Sequence, residues 1–269
     1  MSDLRRSLED ALGPLYRIER EVRPVGECRL FVALERPAGP ELLVKVLPAE
    51  LSLAVDLTRF ERELVLLRDR LGHPRVVAPR GAGRAGALLF HTRAFIDGTT
   101  LRAWLQRHGQ LPLRQAVEVL RDILAALSHA HAAGLAHGDL KPENVLLTDG
   151  RASVADAGIV GALGRAIATG GAGAATVALC ARDYVAPERR SNAAAGAEPR
   201  DDMFALGVLA HEMLTGAVPA AAQETIEEVR AVPPWLAELV RRCRAEAGAR
   251  WPDAGAALES GSWAREPDE

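Results

Sequence analysis

The sequence predicts an α+β fold, with antiparallel strands in the first third and a larger, mainly helical remainder. Leu30-Phe31-Val32-Ala33 and Leu42-Leu43-Val44-Lys45-Val46-Leu47 are apolar runs on either side of the turn-forming segment Glu35-Arg36-Pro37-Ala38-Gly39-Pro40, which reads as paired strands. Leu57, Phe60, Leu64, Leu67 and Leu71 recur at steps of three and four, the apolar stripe of a helix. Helical periodicity then dominates the second part, and 269 residues suffice for one large domain or two lobes around a sizeable core.

Taken in order, Leu4, Leu8 and Leu12 are spaced by four and predict a helix over 3–13. Strands are expected between Tyr16 and Leu47, the striped helix over 55–71, and further strands near Val76-Val77 and from Ala87 to Phe90. Residues 92–98 read as a connector. A helix is expected from Thr100 to His108, and a long one from Leu113 to Ala133. The long helix carries Val117, Leu120, Leu124 and Leu127 on one face, and Gly134 is its stop. Residues 160–180 are rich in Gly and Ala with little periodicity and predict a mobile loop; 191–200 reads as another loop. Asp202 to Thr215 reads as an apolar helix ended by Gly216. Pro233 and Pro234 open a helix carrying Leu236, Leu239, Val240 and Cys243, and the tail from Ala264 is polar.

Composition narrows the class. A 48% apolar and 26% charged chain is that of an ordinary globular protein, and a net charge of −3 gives no general pull toward nucleic acid or an anionic membrane. Cys28, Cys180 and Cys243 are too scattered for a disulfide framework and contain no CxxC pair, so free thiols in a reducing cytoplasm are expected. Met1 to Ala11 has no apolar run of the signal-peptide kind, and no stretch reaches the ~20 apolar residues of a membrane span. The expected location is cytoplasmic, with neither nucleic acid nor membrane as partner of this chain.

Among 33 basic residues only Lys45 and Lys141 are lysine. An ammonium is a compact point charge and a guanidinium a planar fork, so the swap is not neutral where one cationic nitrogen must fit beside a phosphate. Glu63 lies three after Phe60 and four before Leu67, on the helix's apolar stripe. It either reaches solvent at the stripe's edge or needs a cationic partner, for which Lys45 on a preceding strand is available. Asp139, Lys141 and Asn144 fall within six residues, and Val154-Ala155-Asp156-Ala157-Gly158 reads as a strand end followed by an acid and a glycine. Phosphoryl transfer needs a carboxylate near the attacking hydroxyl, a cation on the transferred phosphate and oxygen ligands for Mg²⁺. Asp-x-Lys-x-x-Asn supplies one of each, and Asp156 could complete a divalent-metal site with Asn144.

At this point the chain resembles a eukaryotic-type protein kinase, in its bacterial Ser/Thr form, from about Tyr16 to Ala257. Leu42-Leu43-Val44-Lys45 resembles the third-strand V-A-I-K element, with Glu63 as its helix-C partner. His73-Pro74, the Phe95-Ile96-Asp97-Gly98 hinge, the catalytic loop His137 to Asn144, Asp156-Ala157-Gly158 in place of D-F-G, Ala186-Pro187-Glu188, and Asp202 to Gly207 follow in the family's order. The resemblance implies a bilobal fold: a helical extension over 1–15, a small antiparallel-sheet N-lobe with helix C over 16–96, a mainly helical C-lobe over 97–262 and a polar tail over 263–269. It implies that Lys45 holds the α- and β-phosphates of ATP and Glu63 holds Lys45, that Asp139 orients or accepts the proton of the substrate hydroxyl, and that Lys141 neutralises the γ-phosphate. Asn144 and Asp156 would ligate Mg²⁺, Leu30 and Leu146 would sandwich the adenine, and Gly26 would lie at the phosphate loop. Arg250 would pair with Glu188.

The chain departs from the family pattern at several points. The glycine-rich loop has become Arg23-Pro24-Val25-Gly26-Glu27-Cys28, and Val and Cys restrict the backbone where Gly would free it. Leu43 replaces a small Ala against adenine, and the gatekeeper is Arg93, or Thr92 in the adjacent register. Gly138 replaces the Arg of H-R-D, which usually clamps an activation-loop phosphate, so a phosphorylation switch is not expected, and Thr169 and Thr176, the candidate sites for one, read by default as solvated loop. Ala157 replaces the Phe of D-F-G, and Cys180-Ala181 replaces Gly-Thr.

Three functions are consistent with this pattern. The first is an Mg·ATP-dependent kinase acting on Ser/Thr hydroxyls of protein substrates. The second is a pseudokinase that binds a regulatory protein partner and holds nucleotide weakly or not at all. The third is a small-molecule phosphotransferase, since His137-Gly138-Asp139 resembles the triplet of aminoglycoside and choline kinases; Lys141-Pro142-Glu143-Asn144 and Ala186-Pro187-Glu188 argue against it.

Overall fold

The computed structural model describes residues 3–167, 180–192, 196–220 and 224–260. Two sheets organise the described residues. The first is five-stranded and antiparallel, in the order β1-β2-β3-β6-β5, built from β1 (Tyr16–Val25), β2 (Cys28–Glu35), β3 (Glu41–Val46), β5 (Pro79–Ala85) and β6 (Leu88–Ala94). The second orders β4 (Val76–Val77), β9 (Arg151–Ala155), β8 (Val145–Thr148) and β7 (Thr99–Thr100) as β4-β9-β8-β7.

Strand alternation sorts the first sheet into two faces. Phe31, Ala33, Leu42, Val44, Val46 and Phe90 pack with Leu8 of α1 (Asp3–Leu12) on one side. Leu30, Val32 and Leu43 cluster on the other, with Val22, Val25 and Phe95. In the ladder Leu30 lies opposite Lys45, Lys45 opposite His91, and Leu43 opposite Arg93. The two-residue period therefore places Lys45, His91 and Arg93 on the face of Leu30 and Leu43, toward the interlobe cleft.

Helix α3 (Leu57–Arg70) follows the expected stripe, and the Asp56 carboxylate caps it by accepting from Arg59 N at 2.8 Å. Before it lies α2 (Ala49–Ala54), which the sequence reading did not anticipate. Six residues are too few to show a period, and only Leu51 and Ser52 are buried. Strand β5 was also unanticipated: Pro-Arg-Gly-Ala-Gly-Arg-Ala has no apolar alternation, and it pairs through its backbone along β6. Glycine is required at 83, where a Cβ would lie 2.6 Å from the Phe90 ring. The first three residues of the expected connector over 92–98 are likewise strand, since β6 runs to Ala94.

The second part is built on α5 (Leu113–Ala132) and the later helix α8 (Pro199–Thr215), preceded by α4 (Leu101–His108). Helix α8 is buried around nearly its whole circumference and ends at Gly216 in the left-handed conformation, φ 84°. Its start at Pro199 shortens the loop expected over 191–200, and α7 (Pro187–Ser191) shortens it from the other side. Helices α9 (Pro234–Cys243) and α10 (Ala254–Glu259) close the core with Leu236, Leu239, Val240 and Ala257.

The loop expected over 160–180 is corrected in its first part. Ile159–Ala166 forms helix α6, whose Ile159, Ala162, Leu163 and Ala166 pack with Phe60, Leu64 and Leu67 of α3. Its high Ala and Gly content hid four buried contacts at helical spacing. Thr169, Thr176 and the polar tail lie outside the described residues.

Candidate active site

The catalytic-loop backbone is fixed from beneath by the buried helix α8. Asp202, 1% exposed, accepts from His137 N at 2.6 Å, from Gly138 N at 2.8 Å and from His131 Nε2 at 2.9 Å. Burial would raise its carboxyl pKa, but the facing histidines and backbone amides hold it below the ordinary value. His137 Nδ1 accepts from Asp139 N at 3.2 Å, leaving Nε2 as the donor to Ala155 O at 3.0 Å. One buried imidazole thus ties Asp139 to the strand that delivers Asp156.

Gly138 adopts φ +82°, a region that disfavours the Arg of the family pattern. Its carbonyl accepts from Arg189 Nη1 at 2.7 Å and from Cys180 Sγ at 3.5 Å. The Cys180 thiol is pushed up to about 12 by burial and by the nearby Asp139 carboxylate, which keeps it protonated. The three cysteines form no disulfide.

Within the loop, Lys141 Nζ lies 2.6 Å from Asp139 Oδ2, and Asn144 Nδ2 donates to Asp139 O at 2.8 Å and to its Oδ2 at 3.2 Å. The Asn144 amide is thereby oriented with its nitrogen toward Asp139 and its oxygen left as an acceptor. Lys45 Nζ donates to Asp156 Oδ2 at 2.6 Å. Burial opposes the charged forms of both, yet their attraction wins: Lys45 stays above its ordinary value and Asp156 well below the carboxylate range. Asp156 has φ +64°, a backbone conformation uncommon for a residue with a side chain, and it projects into the cleft.

Two adjoining cavities receive these groups. The larger, about 480 Å³, has Leu30 and Leu43 above and Leu146 below, with Gly26, Lys45, Asn144 and Asp156 at one end. The smaller, about 260 Å³, is lined by Gly26, Lys45, Asp139, Lys141 and Asp156. The segment Val25-Gly26-Glu27-Cys28, expected at the phosphates, is a tight hairpin in which Val25 pairs with Cys28, and Gly26 at φ +56° makes the turn. Arg23 Nη1 donates to Gln106 Oε1 at 2.8 Å, linking the β1 end of this hairpin to α4 across the cleft mouth.

Glu63 is the exception among the expected site residues. It does not hold Lys45; its Oε2 accepts from Arg165 Nε at 2.6 Å, and it lines neither cavity. Helix α6 packs directly on α3 and presents Arg165 to Glu63, while Asp156 takes Lys45. The close approach is made possible by Gly158, where a Cβ would sit 2.6 Å from Leu67 Cδ2. The small Ala157, buried with α3, stands where a larger ring would have to fit.

Two residues matter more than the sequence reading indicated. Arg93, in the register named first, points into the larger cavity; Thr92 points away and donates to Gly81 O at 3.3 Å. His91 is 1% exposed, and neither ring nitrogen has a hydrogen-bond partner. Burial lowers its pKa to about 4, outweighing the Asp156 carboxylate. Both residues lie on the cleft face at alternate positions of one strand, a signal visible only once residues 92–94 are recognised as strand.

Asn144 and Asp156 supply an amide oxygen and a carboxylate, the hard donors that suit Mg²⁺. Among the described residues no cluster of three or more His, Cys, Asp or Glu side chains offers another metal site.

Comparison with known proteins agrees with this geometry. The chain is 34% identical over 218 residues to the serine/threonine-protein kinase PknL of Mycobacterium bovis, covering 80% of this chain and 53% of that protein. It is 31% identical over 209 residues to the probable serine/threonine-protein kinase PknB of Lactococcus lactis, covering 76% and 32%. It thus spans about half, or less, of the length of these curated relatives. The fold superposes on the Mycobacterium tuberculosis PknI kinase domain with a TM-score of 0.70 at 22% identity, over 93% of this chain and 96% of that one. It superposes on Rad53 in complex with AMP-PNP with a TM-score of 0.73 at 22% identity, over 96% and 67%. The model of the protein kinase domain matches residues 26–253, and the chain belongs to that family.

Proposed function

We propose that this chain is a Ser/Thr protein kinase that transfers the γ-phosphate of ATP to hydroxyls of protein substrates in the cytoplasm. The observation that carries the reading is the convergence of Lys45, Asp139, Lys141, Asn144 and Asp156, from three separate segments, on adjoining cavities walled by Leu30 and Leu146. Apolar walls with a few convergent charges are what a nucleotide needs: faces for the base and point charges for the phosphates. Lys45 holds the α- and β-phosphates, and Leu30 and Leu146 take the two faces of the base. Asp139 accepts the hydroxyl proton as the substrate oxygen bonds the γ-phosphorus, and the bond from that phosphorus to the bridging oxygen breaks toward ADP. Lys141, already beside Asp139, neutralises the transferred group. Asn144 and Asp156 would hold Mg²⁺, which when bound offsets charge on the phosphate oxygens.

Productive alignment requires Lys45 to turn from Asp156 to the phosphates, with Glu63 released from Arg165 to support it. The test is incubation of the chain with γ-labelled ATP, Mg²⁺ and a generic protein acceptor, followed by phosphoamino-acid analysis. Label on Ser or Thr is the expected result. Nucleotide binding without transfer would point to a scaffold, and label on sugars or amines but on no protein would point to a small-molecule phosphotransferase.

A further inference from the structure

Both oxygens of the Asp156 carboxylate face cations of the chain itself. Oδ2 is bonded to Lys45, and Oδ1 lies 3.6 Å from Arg93 Nε. Arg93 is held there by its Nη1, which donates to Ala94 O at 3.1 Å. Its Nε is buried, has no hydrogen-bond partner, and belongs to a side chain only 11% exposed on the cavity wall. A buried guanidinium keeps its charge, and an unpartnered donor aimed into a cavity favours an acceptor there.

The charges around this point do not cancel. Lys45, Arg93 and Lys141 face Asp139 and Asp156, an excess of one positive charge. At the rim Glu143 shares Arg102 with Glu212 and Arg23 adds a further cation, while Glu63 is paired with Arg165 outside both cavities. Glu27 lies at the exposed hairpin tip. A divalent ion on Asp156 would sit among like charges, whereas a metal-free polyphosphate would be attracted.

We propose that Arg93 is a built-in cation that competes with divalent metal for Asp156, so that the cleft binds a nucleoside triphosphate nearly as well without metal as with it. This rests on the nucleotide reading above and deepens it. In the nucleotide-free chain, replacing Arg93 leaves Asp156 paired with Lys45, so the variants strand no buried acid on folding.

The experiment is equilibrium binding of a fluorescent ATP analogue, in EDTA and in Mg²⁺, to the unmodified chain, to Arg93→Met, and to Arg93→Gln, which keeps a polar donor on the side chain without the charge. The unmodified chain is expected to bind within about threefold under the two conditions. The variants are expected to lose about tenfold or more of their affinity in EDTA alone, the loss of one partly buried charge contact. If Arg93→Met does not fold, Arg93→Gln carries the comparison. Binding with the same metal dependence in the unmodified chain and a folded variant would overturn the role of Arg93 and leave the nucleotide reading standing. Failure of the unmodified chain to bind nucleotide under either condition would overturn both.

Discussion

Glu63 and Arg165 form an ion pair at 2.6 Å between α3 and α6, and this pair takes from Lys45 the acid that its family would assign to it. Arg165 is 52% exposed at its side chain and Glu63 21%, so the lock is shallow: pairs of this kind contribute about 1 kcal/mol at most.

Arg165→Met should therefore free Glu63 and raise the rate of phosphate transfer by up to about fivefold, the factor that corresponds to that energy. Initial rates under saturating ATP measure it. An unchanged rate would mean that Glu63 does not limit the active arrangement.

Lys45→Arg should lose about a hundredfold or more of the transfer rate, because a planar fork cannot occupy the place of a packed ammonium and the phosphates would be misplaced. The Lys45 side chain is 12% exposed and bonded to Asp156, so there is little room to adjust. Wild-type turnover in this variant would contradict the site as drawn.

His91 supplies a dependence on pH. Its folded pKa, about 4, lies below the ordinary 6.5, so the unfolded chain takes up the proton first. The folded state is then unaffected above about pH 6.5 and loses stability as pH falls from there toward 4, by about 3 kcal/mol in total at most. Charging the ring would also add a third cation beside Lys45 and Arg93. Urea unfolding of the unmodified chain and of His91→Leu at about pH 7 and about pH 5 tests this, the wider gap between the two pH values belonging to the unmodified chain.

Much of this architecture was legible because it is written in spacing. The stripe Phe60-Leu64-Leu67 and the Asp139-Lys141-Asn144 cluster stand where spacing puts them, and the Glu188–Arg250 pair, which only the family resemblance implies, forms at 2.6 Å. What escaped the reading depends on tertiary competition. Glu63 had two open readings, stripe edge or Lys45 partner, and the choice was made by Arg165 in a Gly/Ala-rich segment without visible period. Strand β5 has no apolar pattern, so its pairing partner decides its conformation. Arg93 stood out as an unusual gatekeeper, but its proximity to Asp156 follows from the sheet register.

Arg250→Met should destabilise the fold by about 3 kcal/mol, since Arg250 is 1% exposed at its side chain and serves Glu188 and the carbonyls of Ala245 and Arg200 together. Chemical denaturation measures it. A shift below about 1 kcal/mol would show that solvent replaces these bonds.

The most direct measurement is transfer of labelled γ-phosphate to a protein acceptor by the unmodified chain and by Asp139→Asn, with ATP-analogue binding recorded for both. The unmodified chain should label Ser or Thr, and the variant should bind nucleotide almost equally while losing orders of magnitude in transfer. Equal transfer by the two proteins would contradict the assignment of the cleft as the place where the phosphate moves.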